Sequence, residues 1–137
     1  MLDEATAIAQ AAERFRAMGY IIRTQATGAG LAGFDVVAER DGELAVVEVK
    51  GDASMDGESN LHPYNRKSIF ERASQAVWTA LAAWSEPELQ GLDRRLVSWI
   101  AVPDSPFYRE YLERLEPRLA LIDVRILWLE GMVLPEV

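Results

Sequence analysis

An aspartate at position 35, a glutamate at 48 and a lysine at 50 are the residues whose types and spacing point most directly to chemistry. Residues 34–40 and 43–50 are two β-branched-rich runs, and the Asp41-Gly42 dipeptide between them is a strong hairpin signal. A turn there sets Arg40 against Glu43, Ala38 against Ala45, Val36 against Val47 and Phe34 against Val49 on one face. On the other face Val37 meets Val46, and Asp35 falls opposite Glu48 with side-chain bases about 5 Å apart. Lys50 returns to that face by the strand period of two. Like charges directly opposed weaken a sheet, so the pair needs an offsetting charge. A bound divalent cation is the simplest one. Carboxylate oxygens without cysteine or histidine suit a hard ion, Mg²⁺ with Mn²⁺ as a substitute, rather than zinc. Such a site lowers the pKa of water and stabilises charge on a phosphate under attack, and a neighbouring ammonium can orient that water. The plainer alternative is a pair of solvated strand ends with Lys50 merely neutralising an acid.

The elements that must hold these residues are legible from periodicity. Within residues 3–18, Glu4, Ile8, Ala11, Phe15 and Met18 recur at helical spacing on one face, and Gly19 closes the segment. This predicts an amphipathic helix with one acid, Glu4, on its apolar side, whereas Glu13 falls on the solvated side. Residues 20–25 read as a short strand and residues 27–33 as a flexible connection. Residues 51–65 are polar and turn-rich, which predicts a surface loop. In it His62 is either a general base or a plain loop residue, and Asp52, Asp56 and Glu58 are either a second cation site or solvated acids. Residues 66–84 form a second helix whose stripe is Phe70, Ala73, Val77, Leu81 and Trp84. Residues 96–102 are a strand. Ser105-Pro106 supplies an N-cap and a first-turn proline for a third helix to about Arg118, and residues 124–129 are the last strand. The order αβββαβαβ predicts an α/β fold with a central mixed sheet flanked by helices. Trp78, Trp84, Trp99 and Trp128 lie in apolar segments and read as core or interface bulk.

Composition limits the rest. With 137 residues, 50% of them hydrophobic, the chain reads as one domain over residues 1–137. The absence of cysteine removes disulfides, thiolate metal sites and a cysteine nucleophile from consideration. The first residues carry acids where a signal peptide carries bases, and no apolar run approaches the ~18 residues that span a bilayer, so a cytoplasmic protein without a membrane partner is expected. A net charge of -8 opposes sequence-independent attraction to a polyanion and predicts weak or partner-assisted nucleic-acid binding. Arg66 and Lys67 could grip phosphate at the start of the second helix, although Lys67 and Glu71 are also an ordinary i,i+4 pair.

Gly33-Phe34-Asp35, the hairpin that follows and Glu48-Val49-Lys50 together resemble the PD-(D/E)xK nuclease superfamily, in its Holliday-junction-resolvase-like and small bacterial endonuclease branches. The resemblance covers roughly residues 3–103, which repeat the αβββαβ core of the restriction-endonuclease-like fold. It implies that Asp35 and Glu48 are the metal-binding acids, that Lys50 is the catalytic lysine and that the main-chain carbonyl of Val49 also ligates metal. Family members often add a glutamate from the first helix, for which Glu4 is the candidate by face, although it lies about one turn further from Gly19 than usual. Some place a glutamine on the helix after the lysine. Gln75 matches it in order but sits nearly opposite the apolar stripe, and with Arg66 and Lys67 it completes the substrate-binding candidates. The family's proline before the first acid is Phe34 here. The implied activity is Mg²⁺-dependent hydrolysis of phosphodiester bonds, by an endonuclease acting on DNA rather than RNA. Relatives that cut both strands often pair two sites, which makes a homodimer an open expectation. The rival reading keeps the fold without the chemistry: a catalytically inactive, acidic interaction module or partner subunit.

Overall fold

The computed structural model describes residues 1–25, 33–91 and 93–130. Helix α1 (Glu4–Ala17) begins where Asp3 turns its carboxylate back to accept the Thr6 N–H at 3.2 Å, an N-cap that satisfies one of the helix's orphan donors. Its buried face is Ala7, Ile8, Ala11, Ala12 and Phe15, and Gly19 ends it with φ +93°. Met18, expected on the apolar face, is 36% exposed.

Three strands follow as an antiparallel meander, β1 (Ile21–Gln25), β2 (Val36–Arg40) and β3 (Glu43–Val49). The β2–β3 register is the one the Asp41-Gly42 turn dictates, with Val36 opposite Val47, Val37 opposite Val46, Ala38 opposite Ala45 and Arg40 opposite Glu43. Gly42 takes φ +69°, which a side chain would resist at this turn. The flexible connection expected over residues 27–33 lies, apart from Gly33, outside the described residues.

Residues 51–65 are more ordered than a loop: β4 (Ala53–Met55) pairs with β5 (Leu61–Pro63) in a separate two-stranded sheet. Three-residue strands with little alternation leave too weak a pattern to be read from sequence. Helix α2 (Arg66–Ala82) then crosses to β6 (Arg95–Pro103), which lies parallel to β3. The third helix is shorter than expected. Helix α3 (Pro106–Leu112) gives way to one 3-10 turn, and α4 (Glu116–Ala120) restarts with Pro117 in its first turn, because a proline tolerated there cannot continue a helix. Ser105, expected to cap α3, makes no side-chain capping bond, and Pro106 alone marks the start. Strand β7 (Val124–Leu129) completes a five-stranded mixed sheet in the order β1-β2-β3-β6-β7, with β3, β6 and β7 mutually parallel. The fold is thus α/β with helices on both sheet faces. Among the described residues no helix is long and apolar enough to cross a membrane.

The sheet separates two cores. On one side α1 packs over Val36, Val47, Val49, Trp99 and Leu127. On the other, Ile69, Ala73, Ala76 and Ala80 of α2 meet Ile100 and Val102, and Tyr108 and Leu112 of α3 close the layer. This corrects the expected α2 stripe. Small side chains let the helix approach the β-branched sheet, and the large residues are pushed to its flanks: Phe70, Trp78 and Leu81 are 51%, 73% and 43% exposed. They border a groove of about 500 Å³ between α2 and α3, whose other wall includes Tyr111 and Leu115. Of the four tryptophans only Trp99 is buried, and Trp78 and Trp84 stand on the surface. Phe34 is a further correction. It joins Val37, Leu44 and Val46 on the α2 side rather than facing Val49 on the α1 side. The ladder stops at Val36 and Gly33 turns the chain with φ +81°, so strand alternation does not extend back to residue 34.

Candidate active site

Glu48 and Lys50 sit at the carboxyl end of β3, the end where open α/β sheets present ligand sites. Glu48 shares the face of Val46, beneath α2, and is 8% exposed. Lys50 follows the strand, pinned by its N–H donating to the Ala101 carbonyl of β6 at 3.0 Å. Its Nζ lies 3.3 Å from Glu48 Oε1. Asp35 reaches the same place from the start of β2. Its N–H donates to the Val47 carbonyl at 3.1 Å, and its Oδ2 accepts the Val49 N–H at 2.8 Å. The aspartate side chain therefore takes over where the backbone ladder ends. Because the N–H and C=O of one strand residue point to the same side, the Val49 carbonyl is turned toward Asp35 as well.

The electrostatics follow from this crowding. Burial raises the Asp35 carboxyl above its ordinary value, the Val49 N–H opposes the rise, the charge of Glu4 adds to it and Lys50 offsets part. Glu48 is pushed from 4.5 to about 7, first by burial and next by the Asp35 charge, with the charge and hydrogen bond of Lys50 opposing and Glu4 adding. Two carboxylates are coupled beside one ammonium, and near neutrality Glu48 is poised to hold or release a proton.

Glu4 approaches from the first turn of α1, and its approach depends on Gly51. A Cβ on Gly51 would stand 2.5 Å from the Leu2 carbonyl oxygen and 2.8 Å from the Glu4 nitrogen, so only glycine lets the helix start settle against the end of β3. Asp52 fixes the contact, its Oδ1 accepting the Leu2 N–H at 2.7 Å, and the buried Tyr108 hydroxyl donates to the Gly51 carbonyl at 2.7 Å. The Glu4 carboxylate does not turn to the other acids. It pairs with Arg72 of α2 at 2.8 Å. Among the described residues no three histidine, cysteine, aspartate or glutamate side chains gather closely enough to hold an ion by themselves. The donors that fit a cation are the Asp35 and Glu48 carboxylates with the Val49 carbonyl, an all-oxygen set suited to a hard ion.

The remaining candidates lie elsewhere or are engaged. Arg66 donates to the Tyr111 hydroxyl at 3.1 Å and to Glu110, Lys67 is exposed, and Gln75 is exposed on the outer side of α2. Asp56 organises the β4–β5 turn through the Glu58 and Asn60 N–H groups at 2.8 and 2.9 Å, and His62 bonds Asp56 at 2.7 Å. With Asp52 holding Leu2 and Asp56 holding the turn, two of the three acids of the second-cation reading are engaged in structural work. Gly51, Arg72 and Tyr108 did not stand out in the sequence. A signal for Arg72 was present: it falls three after Ile69 and one before Ala73, beside the buried stripe.

No family model, curated protein or solved structure matches this chain.

Proposed function

We propose that this chain is a divalent-cation-dependent nuclease of restriction-endonuclease-like fold that hydrolyses phosphodiester bonds in DNA. The observation that carries the reading is the convergence of a buried and a half-buried acid, each raising the other's charge cost, with one lysine: Asp35 bonded to Val49, and Glu48 3.3 Å from Lys50. The element order supports it, since α1, β1 to β3, α2 and β6 reproduce αβββαβ with only the β4–β5 hairpin added. Asp35, Glu48 and the Val49 carbonyl would hold Mg²⁺ or Mn²⁺, while Glu4 stays paired with Arg72. When bound, the cation supplies Lewis acidity toward a phosphodiester and makes water a stronger acid. Lys50 holds positive charge beside Glu48, where it can orient a water and stabilise the negative charge that develops at phosphorus. Glu48, raised to about 7 by burial and the Asp35 charge, would have to be ionised to serve as a ligand and can hold a proton at its carboxylate near neutrality. Asp35 keeps its geometry through the Val49 N–H.

The test is cleavage of linear, branched, single-stranded and circular DNA with Mg²⁺ or Mn²⁺. The wild type should cut at least one, and Asp35→Ala, Glu48→Ala and Lys50→Ala should each lose activity by at least about a hundredfold while staying folded. Full activity in Glu48→Ala would refute the assignment. The exposed Phe70, Trp78 and Leu81 favour a second reading, a partner-binding module on the same fold. That reading expects no cleavage and no cation-dependent rise in melting temperature.

A further inference from the structure

Arg72 is held in a way that a simple ion pair does not explain. Its guanidinium donates to Glu4 at 2.8 Å and lies over the Tyr64 ring, 4.6 Å from the centroid, while its side chain remains 21% exposed. Its Nε is buried with no hydrogen-bond partner among the described residues. The Tyr108 hydroxyl lies close enough to this guanidinium to interact with it, and of the five N–H donors in the fork the one bond of regular geometry goes to Glu4, so the partly exposed cation keeps donors for an anion. The neighbourhood suggests what would use it. Glu4 is near enough to bias both Asp35 and Glu48, which puts Arg72 one residue away from the two site acids, and Tyr108 ties the same corner to Gly51 beside Lys50. When ionised, Asp35, Glu48 and Glu4 bring three negative charges against the two positive charges of Lys50 and Arg72. A divalent cation makes the corner positive by one, the charge that one phosphodiester neutralises.

We propose that Arg72 is a phosphate-binding residue of this site, which shares or exchanges its Glu4 carboxylate for a backbone phosphate of bound DNA. The proposal rests on the nuclease reading and adds a residue to it. Arg suits the role because its planar fork matches a phosphate bidentately and the Tyr64 ring holds that plane in place. In a chain of net charge -8, the DNA contact then comes from one oriented guanidinium near the reacting phosphate rather than from a basic surface.

The experiment measures fluorescence anisotropy of a labelled DNA duplex with Ca²⁺ in place of Mg²⁺, from 50 to 200 mM salt, for the wild type, R72Q, R72K and E4Q. Each phosphate contact contributes about 0.9 to the slope of log affinity against log salt. R72Q should reduce the slope magnitude by about that amount. R72K should keep the slope, as its point charge survives, and bind several-fold more weakly. E4Q should keep the wild-type slope, because Arg72 is released rather than removed. An unchanged slope in R72Q overturns the proposal, as does an E4Q slope that falls as far as that of R72Q, which would mark a structural ion pair. Folding is verified by circular dichroism. Should R72Q not fold, R72K decides, and an R72K affinity equal to that of the wild type overturns the proposal. A wild type that neither binds nor cleaves any DNA overturns the nuclease reading itself, a result distinct from binding with an unaltered R72Q slope.

Discussion

Replacing Glu48 with glutamine tests the electrostatic account of the site without needing a substrate. The carboxyl is raised in the folded protein from 4.5 to about 7. An acid raised in this sense contributes stability that is fully present below its unfolded value and is lost as the pH climbs through the folded one. The window is therefore pH 4.5 to 7. At ~1.4 kcal/mol per pH unit, ionising the buried group costs about 3 kcal/mol of folding stability by pH 8. Glu48→Gln removes that cost and keeps the shape. The attraction of Lys50 is already contained in the folded value of about 7, so the gain expected at pH 8 is the whole of that cost, about 3 kcal/mol. A domain of this size gains roughly 3 °C in melting temperature per kcal/mol, hence about 9 °C. Thermal melts of metal-free protein from pH 5 to 8.5 measure it. The wild type should lose stability across the window, the variant should follow a flatter profile, and the curves should converge as the pH falls toward 4.5. Parallel curves, or a variant less stable than the wild type at pH 8, would refute the burial and coupling argument.

Three further outcomes follow from the same geometry. Mg²⁺ added at pH 8 to a hundredfold over its dissociation constant should stabilise the wild type by about 2.7 kcal/mol, and the effect should fade toward pH 5.5, where protons compete for Glu48, and vanish in Asp35→Ala. Gly51→Ala should destabilise by about 1–3 kcal/mol in chemical denaturation, since the added methyl meets backbone rather than a side chain that can swing aside. Trp78→Ser should change stability by no more than about 0.5 kcal/mol, whereas Trp99→Ala should cost about 3–5 kcal/mol, because only Trp99 fills the core, edge-on to Phe15 at 5.1 Å.

Much of this architecture follows from short-range rules. Asp41-Gly42 fixes the hairpin, the hairpin fixes the pairing of Val36 with Val47 and of its neighbours, and the period of two then sends Glu48 and Lys50 to one face. Helix α1, strand β7 and the mixed α/β sheet are legible for the same reason, since each is a periodic pattern set by local geometry. Tertiary contacts decided the rest. Which stripe of α2 is buried depends on how closely it approaches the sheet, and that favours Ala73, Ala76 and Ala80 over the larger Phe70 and Leu81. Phe34 changes sides because Asp35 bonds Val49 through its side chain where a ladder would have continued. The pairing of Glu4 with Arg72 across 68 residues, and the glycine at 51 that admits the α1 start, leave no periodic trace. A sequence pattern records which side chains share a face of one element; where separate elements touch is set by steric fit and charge between segments far apart in the chain.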